Sequence, residues 1–256
     1  MKRSRVPFYT TMAVLVFFYL PLVILSVNSF NDSRYGGPWN GFTCRWYVRL
    51  FQDRQIWHAL QNTLIIAAGA TLISMIVGTI AAFALNRYRS RFQMTHYGMI
   101  YAPLIVPDIL MGMSLLLFFV ALNVNLGLFT IFLAHVTFCI SYVAMVVLSR
   151  LQDFDFSLME AAQDLGASHW TAFRRVMLPL IMPGIAAGGL LAFTLSLDDF
   201  VVTFFVAGPG STTLPIHIYS MMKHGAPAVI NALSVILLLV TFVLVSASRT
   251  IREKLS

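Results

Sequence analysis

The chain has 256 residues; 59% are hydrophobic and only 11% are charged, against about 25% charged in an ordinary soluble domain. These numbers exclude a soluble enzyme, a disordered chain and a disulfide-stapled scaffold, and leave an all-α polytopic membrane protein. The net charge of +7 does not indicate nucleic acid, because little aqueous surface is left to present such a site.

A helix crossing about 30 Å of hydrocarbon needs about 20 mostly apolar residues. Six such spans are predicted, near 8–30, 63–85, 98–122, 128–148, 180–206 and 227–248, within one transmembrane domain covering 1–256. The first follows Lys2, Arg3 and Arg5; its apolar run is too long for a signal peptide and no small-x-small cleavage site follows, so it reads as an uncleaved span. The turn-forming stretch Asn123-Val124-Asn125-Leu126-Gly127 separates the third from the fourth. Gly208-Pro209-Gly210 ends the fifth. Twelve of the seventeen basic residues fall on the side holding both termini and 149–179. The other five are Arg34, Arg45, Arg49, Arg54 and Lys223. The positive-inside rule then makes both termini cytoplasmic.

Residues 149–179 form the long cytoplasmic loop. Leu158, Ala161, Ala162 and Leu165 fall at i, i+3, i+4, i+7 and predict one short amphipathic helix. Gly166 suits a left-handed C-terminal cap, Ser168 an N-cap, and Trp170, Phe173, Val176 and Met177 the face of a second helix. Pro179 is expected to open the next span. The two apolar faces either pack on the chain's own bundle or dock into a soluble partner.

Three carboxylates lie inside predicted spans: Asp108, about ten residues into the third, and Asp198 and Asp199, near the outer end of the fifth. No Lys or Arg lies within a span to neutralise them. Intramembrane carboxylates usually face the bundle interior or a water-filled path, so the set reads as a cation path. The alternative is structural: one Asp caps a broken helix turn or meets an Arg of a partner, and Pro107 sets Asp108 at a helix start. His135 reads as a hydrogen-bonded packing residue and Cys139 as a small apolar one. Cys44 and Cys139 make no metal spacing. The three lysines, Lys2, Lys223 and Lys254, follow Met1, Met222 and Glu253, so no Gly-Lys-[Ser/Thr] phosphate loop exists, nor any hydrolase motif.

The run Glu160-Ala161-Ala162-Gln163-Asp164-Leu165-Gly166, continuing to Phe173-Arg174-Arg175-Val176-Met177-Leu178-Pro179, resembles the EAA coupling loop of binding-protein-dependent ABC importers. The resemblance implies a type I ABC importer permease fold in a bacterial inner membrane. It implies that Glu160, Ala161, Ala162 and Gly166 couple the helices to a cytoplasmic ATPase. No cofactor is expected in this chain, ATP and Mg being bound by the partner ATPase. The expected partners are two such ATPase subunits, a second, homologous permease, an external solute-binding protein and membrane lipid.

Val27-Asn28-Ser29-Phe30-Asn31, Gly41-Phe42-Thr43, Trp46-Tyr47, Pro107-Asp108-Ile109, Ser149-Arg150-Leu151, Thr194-Leu195-Ser196-Leu197-Asp198-Asp199 and Leu214-Pro215 resemble the permease subunits of spermidine/putrescine importers. That resemblance implies substrate contacts at Trp46, Asp108, Ser196, Asp198 and Asp199. Trp46 is equally readable as an interfacial anchor. The competing readings are a permease for iron(III), sulfate or a phosphonate, and an ion-coupled secondary carrier using the aspartates. Three carboxylates without a basic residue disfavour anions, and no inverted repeat supports a self-sufficient carrier. Roles for His224, Cys44 and Arg45 stay open.

Overall fold

The computed structural model describes residues 6–34, 37–87, 91–225 and 227–255, with side chains described for all of these except 6, 227 and 244–255. Lys2, Arg3, Arg5 and Arg89, and the side chains of Arg249, Arg252 and Lys254, lie outside the described residues. The described chain is helical: α1 Val6–Asn28, α2 Arg45–Gln52, α3 Arg54–Arg87, α4 Gln93–Ile105, α5 Asp108–Ala121, α6 Leu128–Gln152, α7 Ser157–Asp164, α8 His169–Ala172, α9 Leu178–Asp198, α10 Val201–Val206, α11 Leu214–Lys223 and α12 Pro227–Leu255.

Among the described residues four stretches are long and apolar enough to cross a membrane: Pro7–Asn28, Arg54–Arg87, Leu128–Gln152 and His169–Asp198. The third predicted span is not one rod. It breaks into α4 and α5, bent by 111° at Val106-Pro107. Pro107 has no N–H to donate and disfavours helical geometry at the residue before it; Val106 accordingly turns extended, with ψ 129. A depth for Asp108 counted along a straight helix therefore does not hold. The fifth predicted span also breaks, at Asp199-Phe200, leaving α10 as a separate six-residue helix. The sixth corresponds to α12, whose shorter described apolar part is Ala228–Val243.

Backbone contacts divide the chain into two compact units, Met1–Trp57 with His217–Ser256, and His58–Ile216. In the first unit, α12 packs against α1 and α2. No residue of the apolar window of α1 is buried, so this helix leaves an apolar surface uncovered along most of its length. Asn31 organises the loop that follows it. Its side-chain amide donates to the Pro38 carbonyl, and its oxygen accepts from the Asn40 N–H at 2.9 Å.

In the second unit α6 is the central helix. It is apolar on all sides, which suits a buried position, and packs against α4, α9 and α10. One cluster joins Phe138, Val143, Val147 and Leu151 to Ile181 and Ile185 of α9. A second joins Ile131 and Ala134 to Val202 and Val206 of α10. Gly78 lets α3 approach α6 closely, since a Cβ there would stand 2.9 Å from the Ile140 carbonyl oxygen and 2.9 Å from Val143 Cβ. Gly78→Ala is expected to destabilise the protein by about 1–3 kcal/mol through overpacking. A lower thermal midpoint of the detergent-purified protein checks it; an unchanged midpoint would show that the helices can part at no cost.

Candidate functional site

The breaks after Ile105 and Asp198 bring together what the sequence separates. Asp108 is the first residue of α5, facing the positive end of that helix's dipole. Asp198 is the last residue of α9. Both line a cavity of about 330 Å³, together with Asp199, Phe138, Tyr142 and Phe200. Among the described residues no Lys or Arg lines it, and neither Asp108 nor Asp198 makes an ion pair. Such a chamber offers negative charge beside aromatic faces, a combination suited to a cation with an apolar body.

Asp199 differs from the other two. Its carboxylate accepts N–H donations from Val202 (3.3 Å) and Thr203 (2.8 Å) and the Thr203 hydroxyl at 2.6 Å, so it caps α10. His135 Nε2 stands 3.4 Å from the same carboxylate. Ser196 is only 2% exposed and its hydroxyl meets His135 Nδ1 at 2.6 Å; it does not line the cavity. The expected substrate contacts thus divide into Asp108 and Asp198, open to the cavity, Asp199, which lines it while held by donors, and Ser196 behind the wall.

Trp46 belongs to the other unit. It is 3% exposed, its indole N–H donates to the Asn31 carbonyl at 2.8 Å, and the Arg45 guanidinium covers its ring at 4.4 Å. Arg45 in turn pairs with Asp32 at 3.0 Å. Trp46 also borders a cavity of about 150 Å³ with Arg49, Asp53 and His217. In this arrangement the indole braces the loop rather than presenting an open face.

The loop between α6 and α9 has two dissimilar halves. In the first, Gly166 has φ +89 and closes α7: its N–H donates to Gln163 and that of Ala167 to Ala162, satisfying the last carbonyls. The Ser157 N–H donates to Asp155 at 2.9 Å, which holds that carboxyl below the usual Asp range. Glu160, Ala161 and Gly166 are exposed and Ala162 half-buried, while Leu165 is 90% exposed and Leu158 45%. In the second half Ser168 caps α8 by accepting the Thr171 N–H at 3.2 Å. Of the predicted apolar face, Met177 is buried and Phe173 stands edge-on to Phe83 of α3 at 5.6 Å, while Trp170 is 68% exposed. Pro179 stands in the first turn of α9, as expected. A π-helical turn at Phe173–Met177 absorbs the missing donor, and helix continues through His169–Asp198.

Sequence reasoning did not find Tyr142, Phe138 or the partners of His135. A partial signal existed: His135, Phe138 and Tyr142 sit at i, i+3, i+7 on α6, one face of one helix.

Comparison with known proteins adds an independent line. The family described as "Binding-protein-dependent transport system inner membrane component" matches residues 74–254. The spermidine/putrescine transport system permease protein PotC of Escherichia coli (strain K12) is 44% identical over 243 residues, 94% of this chain and 92% of that protein. The putrescine transport system permease protein PotI of the same strain is 47% identical over 229 residues, 87% of this chain and 82% of that one. Among solved structures, a bacterial ABC transporter that imports the acidic polysaccharide alginate superposes with a TM-score of 0.74 at 18% identity, over 98% of this chain and 96% of that one. The MetNI methionine ABC transporter, in an inward-facing conformation, gives 0.61 at 17% identity, over 83% and 99%. At such identities these two likenesses speak for the fold alone.

Proposed function

The chain belongs to the family of binding-protein-dependent transport system inner membrane components, and from that premise we propose that it conducts polyamines as the permease subunit of an ATP-driven importer. It is a multi-pass protein of the bacterial inner membrane, and ATP binding belongs to a partner ATPase. The observation that carries the cargo is the cavity: two carboxylates without an ion pair, Asp108 and Asp198, beside Phe138, Tyr142 and Phe200. A polyamine carries ammonium groups spaced along a flexible aliphatic chain. Carboxylates pair with the ammoniums, while aromatic faces cover the methylenes and add cation–π attraction. The two relatives named for spermidine and putrescine transport support the same cargo. A bare metal-ion cargo gains no such support, since among the described residues no three His, Cys, Asp or Glu side chains are grouped to hold one.

In this reading both termini are cytoplasmic, and an external solute-binding protein delivers the polyamine. A second, homologous permease completes the path, and two cytoplasmic ATPases bind ATP and Mg. Glu160, Ala161, Ala162 and Gly166 on and beside α7 receive the closure of those ATPases. Trp46 contributes by holding the external loop. The continuous helix from His169 to Asp198, about 45 Å at 1.5 Å per residue, joins the loop to the carboxylate at its far end. Alternating access then exposes the cavity first outward and, after hydrolysis, inward.

The test is uptake of labelled spermidine and putrescine in cells lacking their own importers and supplied with the complete transporter. ATP-dependent uptake, competed by neither amino acids nor anions, is expected. Uptake that survives ATP depletion while the proton gradient persists would replace this reading with a secondary carrier.

A further inference from the structure

We propose that His135 is a positioning residue of the translocation site, stapling both sides of the α9–α10 break to α6 and so aiming Asp198 into the cavity. The inference rests on the polyamine reading only for what enters the cavity; the staple itself rests on geometry.

His135 is 1% exposed, and each ring nitrogen has a different helix to hold. Nδ1 meets the Ser196 hydroxyl of α9 at 2.6 Å, and Nε2 the Thr203 hydroxyl of α10 at 2.9 Å. With the ring neutral, one tautomer satisfies every partner. Ser196 donates to Nδ1, Nε2–H donates to the Thr203 oxygen, and Thr203 donates to Asp199 Oδ2 at 2.6 Å. Each oxygen and nitrogen then acts in one direction along a single chain of bonds. A buried imidazole needs a partner for each ring nitrogen, and here the two partners flank the break. Ser196 lies in the last turn of α9, and Thr203 lies in the first turn of α10.

The consequence is positional. Asp199, consumed by the cap of α10, is fixed in place. Its neighbour Asp198, which makes no ion pair among the described residues, is therefore left pointing into the chamber. Without the staple the junction can unwind or rotate, and Asp198 loses its aim although it remains present. His135 reaches the cargo through Asp198 and never touches it.

The experiment measures polyamine uptake by the complete transporter, together with a labelling readout that ignores cargo. His135→Ala and Asp199→Asn are each expected to cut uptake about tenfold, and the double variant to fall no further than the worse single one, because both break one network. His135→Ala combined with Asp108→Asn is expected to multiply the two losses. His135→Gln, whose amide can still donate toward Thr203, should recover at least a third of wild-type uptake at equal membrane abundance. Multiplied losses for the Asp199 pair, or no rescue by Gln, would overturn the proposal. For the second readout, Val201→Cys in a Cys44→Ser background is alkylated with a maleimide. Its rate is expected to rise about threefold in His135→Ala, and an unchanged rate counts against the staple. If the Val201→Cys proteins show this labelling difference but the wild-type complex imports no polyamine, the cargo reading falls and the positioning role stands.

Discussion

Asp198→Asn in the assembled transporter is expected to lower polyamine uptake by about 10- to 100-fold, chiefly as a raised KM. The substitution keeps size and shape and removes only charge, so it isolates the ion pair with the cargo. Hydrogen bonds to charged groups contribute about 1.5–3 kcal/mol, and each 1.4 kcal/mol is tenfold in affinity. Asp198 has no other cation to satisfy among the described residues, so its loss is not hidden by a rearranged partner. Asp198→Glu, which keeps the charge on a longer arm, should retain far more activity than Asn. Asp108→Asn should behave like Asp198→Asn, because that carboxylate too lines the cavity without an ion pair. Undiminished uptake in both Asn variants at normal membrane abundance would remove the carboxylates from the path.

That pairing of Asp108 with Asp198 shows where sequence reading reaches its limit. The carboxylates stand out along the chain because an apolar span makes any charge conspicuous, and Pro107 announces a break just before Asp108. What the chain does not announce is the size of that break. A bend of 111° depends on which helices receive the two halves, and only the packing of α5 on α10 and of α4 on α6 decides it. The Asp199 break is less visible still, since no Pro or Gly marks it. It is held by His135 and its partners, 61 and 68 positions apart in the chain. No local period encodes hydrogen bonds over such separations.

The caps of the loop are the opposite case. Gly166 and Ser168 occupy the positions their chemistry dictates, because a cap is decided by neighbours three or four residues away. Pro179 likewise stands in the first turn of α9, where its chemistry suits it. What local preference does not announce is the π-helical turn upstream, which joins α9 to α8 while Met177 and Ile181 pack into the bundle. For Trp46 the chain leaves two roles open, substrate contact and anchor, and only the fold shows that Asn31 and Arg45 occupy its edge and ring.

Leu165→Asp is expected to detach the ATPase, abolishing co-purification and reducing uptake to background while the permease still inserts. The side chain is 90% exposed at the C-terminal end of α7, Leu158 on the same helix is 45% exposed and Trp170 of α8 is 68% exposed, whereas Met177 and Phe173 just beyond pack on their own bundle. Apolar side chains left open along this loop call for a partner, and burying one leucine contributes about 1.5–3 kcal/mol. An aspartate in the same place would forfeit that gain and would have to bring an unpaired charge into an apolar cleft, which costs more. Because Leu165 is 90% exposed, the substitution should leave the thermal midpoint of the isolated permease unchanged, and this separates lost docking from misfolding. Glu160→Lys, exposed on the first turn of the same helix, should weaken docking by reversing a charge without touching the apolar face. If the Leu165→Asp permease co-purifies normally with its ATPase and transports at wild-type rate, α7 is not the docking helix, and the force must enter the long helix elsewhere along His169–Asp198.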